Sequence, residues 1–344
     1  MIKDIKIRNY KIIKELDLDD FKNINIFTGK NNCGKSTILE AVYLTLAQDN
    51  IKNLIYSFDI FRYFSLDEKS IKFLFYNFDM EKTISLYSNI QDTYISLNIS
   101  LEQLDEIYMP NILKNGNEDS IKLQFEHGYG KKSQINTLTI QNKDTSYSRN
   151  TERKYNKVSS LHKNNTIFFP VNIFSFEALF FLRKIRSDNQ EGKLINFLKF
   201  FDESILDVEE INQEIFIKSS KFKIKAPIKI FGYGFIKFFN YICVLVANDA
   251  KYILIDEIEN GLHYENIKKL IVSLVKLSSE NNIQIFISTH SLEFLQILEK
   301  SIDEANFMDV NIYNIYNIED NIYSKQYFAN QLNELLDNNI ELRR

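Results

Sequence analysis

The chain contains 344 residues with a net charge of -4, and 44% of them are hydrophobic, which is ordinary globular composition. It is long enough to bury a sizeable core in one large domain or two lobes, and no stretch approaches the roughly 18 apolar residues of a membrane span. The two cysteines exclude a disulfide framework and the small negative charge excludes nucleic-acid binding through bulk charge alone, so we expect a cytoplasmic protein with no membrane partner.

The N-terminal residues alternate between apolar and polar side chains, which is typical of strands. This alternation predicts strands over residues 2–9 and 11–18, and the apolar segment 24–28 predicts a short buried strand. Gly29 follows that strand directly, and the apolar residues of 35–47 then recur at helical spacing. The predicted order in this region is therefore strand, glycine loop and helix.

The middle of the chain is predicted to contain helical and antiparallel β structure. Residues 51–77 favour helix, whereas 82–100 and 120–141 alternate again, which favours antiparallel strands. Residues 142–165 are polar with almost no aliphatic side chain, so we expect them to form a long mobile loop.

The C-terminal half alternates short apolar segments with helical segments. The predicted strands are 166–170, 213–225 (a pair around Ser219–Ser220), 251–255, 283–288 and edge strands in 308–327; the predicted helices are 175–202, 234–248, 264–280 and 291–300. This alternation predicts an α/β fold in which a parallel sheet is covered on both faces. We expect a single domain with an N-terminal lobe, 1–165, that holds the antiparallel region, and a C-terminal lobe, 166–344.

Residues 29–36 have the pattern G-x-x-x-x-G-K-S, which is typical of a phosphate-binding loop between a strand and a helix. Backbone N–H groups of such a loop, and the positive end of the following helix, point at phosphate oxygens. Lys35 would reach the β- and γ-phosphates of a nucleotide, and the Ser36 hydroxyl would bind Mg²⁺. The candidate nucleotide-binding residues are Gly29, Lys30, Asn31, Asn32, Cys33, Gly34, Lys35, Ser36 and Thr37.

A pair of carboxylates, Asp256 and Glu257, follows the predicted strand 251–255. Open α/β sheets bind ligands at the carboxyl edge of their strands. Asp256 would hold Mg²⁺, and Glu257 would polarise an attacking water. A solvated acidic turn is the alternative, and the phosphate-binding loop in the same chain favours catalysis.

Two further segments are candidates for the same site. His290 follows a predicted strand and would sense the γ-phosphate, with a purely structural histidine as the alternative. Phe231, Gly232 and Gly234 open a predicted helix, where paired glycines favour an anion site, with an ordinary tight turn as the alternative.

The order of these motifs resembles the nucleotide-binding domain of ATP-binding-cassette (ABC) ATPases of the SMC and RecF kind. The segments GKNNCGKSTILEAVYLTLA, FLFYNFD, ILIDEIENGLHYE and FISTHSLEFL are more similar to bacterial AAA-family ATPases related to the overcoming-lysogenization-defect (OLD) family. The resemblance extends from Met1 to about Leu298, although residues 80–165 match only in strand pattern. It implies a P-loop NTPase of ABC type, with a mixed sheet flanked by helices, an antiparallel β lobe and a helical lobe that carries the signature.

The resemblance also implies a role for each catalytic motif. Residues 29–37 correspond to Walker A, and Ile253 to Glu257 to Walker B, with Glu257 as the catalytic carboxylate, assisted by Lys35 and His290. Glu259 to Leu262 correspond to the D-loop, and His290 is the switch histidine. The implied cofactors are ATP and Mg²⁺.

Gly232 and Gly234 correspond to the signature segment of that group. Related OLD-like sequences favour an acidic residue between the two glycines, and here Tyr233 replaces it; Lys237 lies where related sequences often carry a basic residue. The resemblance implies a head-to-tail homodimer in which Walker A of one copy and the signature of the other hold the same ATP. ATP binding would then act as a dimerisation switch.

Three functions for this switch follow from the resemblance. OLD-type nucleases carry a Toprim domain of roughly 100 residues after the ATPase, and the residues after His290 are too few for one. We therefore expect an ATPase of phage defence that acts with a separately encoded effector. The alternatives are a RecF-like DNA-repair ATPase that clamps DNA and a non-hydrolysing scaffold that uses ATP only for assembly.

Basic residues make nucleic acid a candidate partner, with solvated surfaces as the alternative. They are Arg149, Arg153, Lys154, Lys157, His162 and Lys163 in the polar segment, and Arg183, Lys184 and Arg186 on a predicted helix.

Overall fold

The computed structural model describes most of the chain. The described residues are 1–46, 70–101, 120–145, 148–155, 165–171, 178–319, 321–332 and 336. The chain forms two compact units: a β unit (Met1–Phe21, Asn31–Asn164 and Ile315–Lys325) and an α/β unit (Lys22–Lys30, Asn165–Asn314 and Gln326–Arg344). The division of the chain into lobes at residue 165 stays a prediction. In the structure, Lys22–Lys30 of the first half belong to the α/β unit and Ile315–Lys325 of the second half belong to the β unit. Among the described residues, the helices are too short or too polar to cross a membrane.

An antiparallel sheet of seven strands dominates the β unit. Its strands are β1 (Ile5–Tyr10), β2 (Ile13–Leu18), β4 (Ile84–Ile90), β5 (Thr93–Leu101), β6 (Ser120–Tyr129), β7 (Lys132–Thr145) and β8 (Ser148–Tyr155), in the order β2-β1-β4-β5-β6-β7-β8. Strand β4 alternates strictly between buried and partly exposed residues, because successive side chains point to opposite faces of a strand. The strands predicted from alternation in this half of the chain are confirmed.

The polar segment 142–165 is not the long loop that we expected. Strand β7 continues to Thr145, and β8 pairs with it from Ser148 to Tyr155. Hydrogen bonds between backbone groups form the strand pairs, so a polar segment without an apolar pattern can still extend a hairpin as the last strand of a sheet. Residues 156–164 lie outside the described residues.

Helix α1 (Lys35–Leu46) belongs to the β unit and contacts strands β1, β4 and β5. Most of its side chains are buried, including that of Glu40. The helix predicted over 51–77 falls mostly outside the described residues, and its described end forms two short 3₁₀ turns, Ile71–Leu74 and Tyr76–Phe78.

A six-stranded sheet lies mostly in the α/β unit, and the part of its last two strands within Ile315–Lys325 is assigned to the β unit. Its strands are β3 (Ile24–Thr28), β9 (Thr166–Phe169), β13 (Tyr252–Ile255), β14 (Gln284–Ser288), β15 (Val310–Ile318) and β16 (Asn321–Phe328), in the order β16-β15-β3-β14-β13-β9. The five strands from β15 to β9 are parallel. Strands β3, β13 and β14 are buried along their whole length, which requires cover on both faces and explains their continuous apolar sequence.

The α/β unit also holds five helices and a small second sheet among its described residues. The helices are α2 (Ala178–Ser187), α3 (Glu191–Phe201), α4 (Tyr233–Ala247), α5 (Tyr264–Asn281) and α6 (Leu292–Ala305); the second sheet contains β10 (Ile205–Ile211), β11 (Glu214–Ser219) and β12 (Ala226–Pro227). Helix α4 is buried continuously from Lys237 to Ala247 and contacts α2, α3 and α5, so it is the central helix of the apolar core.

Three predictions for this half of the chain need correction. The helix predicted over 175–202 is two helices, because the chain turns at Asn189, whose φ is 54°. The first strand of the pair predicted around Ser219–Ser220 is β11, which pairs antiparallel with β12, but this second strand begins only at Ala226. Strand β11 also pairs with β10 across a tight turn at Asn212 and Gln213, which both adopt positive φ. Of the edge strands predicted in 308–327, β16 lies at the edge of the sheet as predicted, whereas β15 is interior because β3 and β16 flank it.

Candidate functional site

The phosphate-binding loop has the backbone conformation that its glycines allow. Strand β3 ends at Thr28, and the chain then adopts positive φ at Gly29 (139°), Asn32 (62°) and Gly34 (100°). Helix α1 begins at Lys35, directly after the second glycine. A Cβ on Gly34 would lie 2.9 Å from the end of the Ile322 side chain, which can shift, so it is the positive φ that requires glycine there.

Lys35 lies almost fully buried at the start of α1, with 7% of its surface exposed. Its Nζ is 3.8 Å from Cys33 Sγ. Burial raises the pKa of the Cys33 thiol, and the nearby Lys35 ammonium opposes that shift only in part. Cys33 is therefore a neutral small residue of the loop.

A buried carboxylate on α1 was not found by sequence reasoning. Glu40 accepts hydrogen bonds from the Lys11 ammonium and, at 3.3 Å, from the Tyr10 hydroxyl. Burial and the neighbouring Glu40 charge raise the pKa of Tyr10 well above its ordinary value. Both partners come from the β1–β2 hairpin, so this cluster fixes the helix of the phosphate-binding loop within the β unit.

The paired carboxylates lie at the carboxyl end of β13, where the sequence predicted them. Asp256 is buried and its backbone N–H donates to the carbonyl of Phe169, at the end of the neighbouring strand β9. Its Oδ1 accepts a hydrogen bond of 2.5 Å from the Ser288 hydroxyl. The same Ser288 hydroxyl accepts a hydrogen bond of 2.8 Å from the N–H of Glu257.

Ser288 is therefore the residue that organises this strand end, and sequence reasoning missed it. It is the last residue of β14, has no exposed surface, and its carbonyl also accepts the N–H of Ile258. The signal in the sequence was a hydroxyl residue at the end of a wholly apolar strand next to the strand with the carboxylates.

Glu257 adopts a left-handed backbone conformation, with a φ of 48°, which is uncommon for a residue other than glycine. Two turns follow it: Asn260 N donates to the Glu257 carbonyl at 3.0 Å, and Leu262 N donates to the Glu259 carbonyl at 3.1 Å. We call residues 257–262 the acidic turn. Strain of this kind at a strand end often marks a functional residue.

His290 lies just beyond β14 and is exposed, whereas Thr289 is buried and donates its N–H to the carbonyl of Phe27 on β3. Glu259 Oε1 accepts the His290 N–H at 2.8 Å and lies 3.0 Å from His290 Nδ1. The predicted switch histidine is thus bound to the acidic turn, at the sheet edge where the phosphate-binding loop leaves β3.

The segment with two glycines opens helix α4, as predicted. The Gly232 carbonyl accepts the N–H of Phe235 at 2.9 Å, and Phe231 packs on Phe235 with ring centroids 5.0 Å apart. A Cβ on Gly234 would lie 2.9 Å from the carbonyl oxygen of Gly261, so glycine permits close contact between the helix start and the acidic turn. Tyr233 and Gly261 pack even more closely, since any Cβ on Gly261 would overlap the Tyr233 ring.

Lys237, one turn into α4, is completely buried. Its ammonium donates to the carbonyls of Glu257 and Asn260, each at 3.0 Å, and to that of Ile258 at 3.4 Å. Burial lowers the pKa of Lys237 to about 8, and the neighbouring carboxylates Glu259, Glu257 and Asp256 oppose the shift. The α/β unit therefore brings together the acidic turn, His290 and the start of α4.

Comparisons with known proteins identify the family of the chain. The family described as "AAA domain, putative AbiEii toxin, Type IV TA system" matches residues 24–296. The chain belongs to this AAA-domain family. The AAA domain is also 26% identical over 332 residues to an "ATP/GTP phosphatase" of Helicobacter pylori, covering 89% of this chain and 90% of that protein. A DNA replication and repair protein RecF of Clostridium kluyveri is 52% identical over 42 residues, 12% of each chain.

Two solved structures of SMC heads share the fold of the AAA domain. One is an SMC head bound to the C-winged helix domain of ScpA, with a TM-score of 0.53, 12% identity and coverage of 97% of this chain and 99% of that one. The other, from Pyrococcus furiosus, has a TM-score of 0.53, 11% identity and 98% coverage of both chains. The fold is that of a P-loop NTPase of ABC type, as predicted.

The donor groups of the AAA domain fit Mg²⁺. Among the described residues, no group of three or more His, Cys, Asp or Glu side chains is arranged to hold a metal ion. Mg²⁺ differs from zinc in this respect, because proteins usually bind it through one or two oxygen ligands together with substrate phosphates. Asp256 of the α/β unit is a carboxylate of that kind and Ser36 of the β unit is a hydroxyl of that kind, and their joint binding of Mg²⁺ stays a prediction.

The basic residues of helix α2 have partners within the α/β unit. Arg183 pairs with Glu210, Lys184 lies 3.4 Å from Asp249, and Arg186 donates to a backbone carbonyl. The backbone of Arg149, Arg153 and Lys154 lies in β8, whereas Lys157, His162 and Lys163 fall outside the described residues.

Proposed function

We propose that this AAA domain hydrolyses ATP with Mg²⁺, and that ATP binding joins two copies of the chain. The observation that carries the proposal is the strand end in which Ser288 fixes both the Asp256 carboxylate and the backbone of Glu257. The similarity to an ATP/GTP phosphatase along most of both chains supports nucleotide hydrolysis. Measurable turnover would also exclude the non-hydrolysing scaffold.

The proposed roles follow from the chemistry of the groups. The backbone N–H groups of residues 29–37 bind the phosphates, and Lys35 offsets the charge of the β- and γ-phosphates. Asp256 and Ser36 would hold Mg²⁺, which supplies positive charge against the negative charge that develops on the phosphate oxygens. Glu257 orients the attacking water and accepts its proton, and His290 contacts the γ-phosphate.

The proposed dimer places the start of α4 against the nucleotide of the other copy. The first N–H groups of a helix and its positive dipole end form an anion site, and at α4 these lie beside Phe231, Gly232 and Gly234. Each site is then completed only by a second chain. Loss of the γ-phosphate removes contacts across the interface, so hydrolysis releases the dimer.

Phosphate release from ATP and GTP by the purified protein tests the catalytic part of this proposal. We expect Lys35→Ala to weaken ATP binding, and Glu257→Gln to bind ATP but hydrolyse it at least a hundredfold more slowly, since general-base catalysis contributes roughly 10²–10⁴-fold. Glu265→Gln on the exposed first turn of α5 is the matched control and should keep wild-type turnover. Wild-type turnover in the Glu257→Gln protein would contradict the role of Glu257.

We further propose that the switch serves defence against phage together with a separately encoded effector, in the cytoplasm. The family description names a toxin of a type IV toxin–antitoxin system, which favours a partner encoded elsewhere. Plating efficiency of phage on cells with the wild-type gene region, compared with the Glu257→Gln region, tests this role. Equal plating on cells with and without the region would contradict it.

A further inference from the structure

The buried ammonium of Lys237, on helix α4, donates hydrogen bonds to the backbone of the acidic turn. Its three acceptors are the carbonyls of Glu257, Ile258 and Asn260, which all belong to the acidic turn. The Glu257 carbonyl also accepts the N–H of Asn260, so the ammonium binds the turn at the point where it closes. One side chain of α4 thus fixes the backbone from the carbonyl of Glu257, the proposed catalytic carboxylate, to that of Asn260.

A buried lysine is a costly way to fill a core position, because the ammonium must leave water. The three carbonyl acceptors and a nearby aromatic ring offset part of this desolvation cost. The Tyr241 ring of α4 lies 5.9 Å from Nζ, and the charges of Glu259, Glu257 and Asp256 favour the protonated lysine. Its retention inside a core of aliphatic and aromatic side chains points to a function other than packing.

The contacts continue from the acidic turn in both directions. In one direction, Glu259 Oε1 accepts a hydrogen bond from the backbone N–H of His290 and lies 3.0 Å from its Nδ1. At the other end, the Gly261 carbonyl and Cα lie against Gly234 and Tyr233 at the start of α4. His290, the acidic turn and the first turns of α4 are therefore linked by hydrogen bonds and close packing, all within the α/β unit.

We propose that Lys237 is a positioning residue that couples the start of helix α4 to Glu257 and, through Glu259, to His290, so that these groups move together when the γ-phosphate is lost. This inference rests on the proposed function, in which His290 contacts the nucleotide of its own copy and α4 contacts that of the other copy. Lys237 then links the two composite sites of one dimer. The Tyr233–Gly261 contact gives the coupling a second, apolar point of attachment.

Lys237→Met tests the coupling, because methionine has similar length without the charge. Lys269→Met is a matched control: Lys269 donates to the carbonyl of Phe201 at 2.8 Å and its Nζ lies 6.0 Å from that ring, so both contacts are with Phe201 rather than with the acidic turn. Lys237→Met removes three hydrogen bonds of a charged group, which are stronger than those of neutral groups. Because the rate depends exponentially on the activation barrier, we expect kcat to fall on the order of tenfold to a hundredfold. The Kd of Mg·ATP should stay within about threefold of wild type, and the Hill coefficient for ATP should fall toward 1.

Two outcomes would overturn the inference. One is wild-type kcat and Hill coefficient in Lys237→Met, and the other is an equal loss of kcat in Lys237→Met and Lys269→Met, which would indicate a merely structural effect. A double-mutant cycle with Glu259→Gln adds a direct measure of coupling, since independent residues would give additive losses.

Amide hydrogen exchange separates this inference from the proposed function, because it needs no turnover. In the protein without nucleotide, Lys237→Met should speed exchange of the Asn260 and Leu262 amides at least tenfold, whereas Lys269→Met should leave both at wild-type rates. Unchanged exchange rates in Lys237→Met would contradict the proposal that Lys237 fixes the acidic turn, even if ATP is hydrolysed. An inactive wild-type protein with faster exchange in Lys237→Met would contradict the proposed function alone.

Discussion

The Ser288 hydroxyl is a small group on which two parts of the site depend, so Ser288→Ala is an informative substitution. In the wild-type protein the hydroxyl donates to Asp256 Oδ1 at 2.5 Å and accepts from Glu257 N at 2.8 Å. Alanine fills almost the same volume but removes both bonds. The Asp256 carboxylate loses one donor, and the N–H of Glu257 loses its acceptor.

The expected loss can be estimated from the two bonds. A hydrogen bond to a charged group contributes about 1.5–3 kcal/mol, and a partly buried N–H left without an acceptor costs about 1 kcal/mol. The free energy of unfolding should therefore fall by about 2–4 kcal/mol, which corresponds to a decrease in Tm of about 5–15 °C for a unit of this size. Because Glu257 also loses its backbone anchor, kcat should fall on the order of tenfold or more.

Thermal unfolding and phosphate release measure these two effects, with Ser301→Ala as the matched control. Ser301 is also a buried serine, on helix α6, but its hydroxyl has no hydrogen-bond partner among the described residues. Alanine at 301 should therefore keep or raise Tm and leave kcat unchanged. Equal Tm and kcat in Ser288→Ala and Ser301→Ala would refute the reasoning about the strand end.

Further predictions concern the β unit. Gly34→Ala should abolish ATP binding, measured by calorimetry, because alanine is strained at a φ of 100° and the loop would have to change conformation to relieve that strain; retained binding would contradict this. Burial lowers the pKa of His127 to about 4, so the unfolded chain takes up this proton first, and the free energy of unfolding should fall by about 3 kcal/mol as the pH drops from 6.5 to 4. His127→Leu should show a smaller loss over that range in denaturant titrations; an identical pH dependence would refute the assignment. Glu40→Gln should lower Tm by several degrees, because it breaks the ion pair with Lys11. The double variant with Lys11→Met and Glu40→Leu should recover part of the lost Tm, because replacing both partners of a buried pair destabilises the fold less than removing one of them. A lower Tm in the double variant than in Glu40→Gln would contradict this.

The sequence was sufficient for the motifs and for most elements of the fold. Short apolar strands such as β3 and β14 are buried on both faces, so their sequences are continuous and easily recognised. The phosphate-binding loop was found because its glycines are fixed by positive φ, a requirement that few other residues meet. The same reasoning failed at β8, because a polar strand at the end of a sheet has no apolar pattern to detect.

The connections within the site could not be predicted in this way. Ser288 and Asp256 are 32 positions apart, and only the parallel pairing of β13 and β14 brings them into contact. Lys237 was noticed as a basic residue, but its burial and its three carbonyl partners depend on how α4 packs against the acidic turn. Contacts between distant segments are a property of the folded chain and leave little trace in the local sequence.

The central claim is that ATP joins two copies of this chain until the γ-phosphate is removed, and light scattering on the Glu257→Gln protein tests it most directly. With ATP and Mg²⁺, we expect the measured mass to rise from that of one 40.7 kDa chain to that of two. The same variant with ADP, and the Lys35→Ala protein with ATP, should stay at the mass of one chain. A mass that does not change between ATP, ADP and no nucleotide would contradict the account.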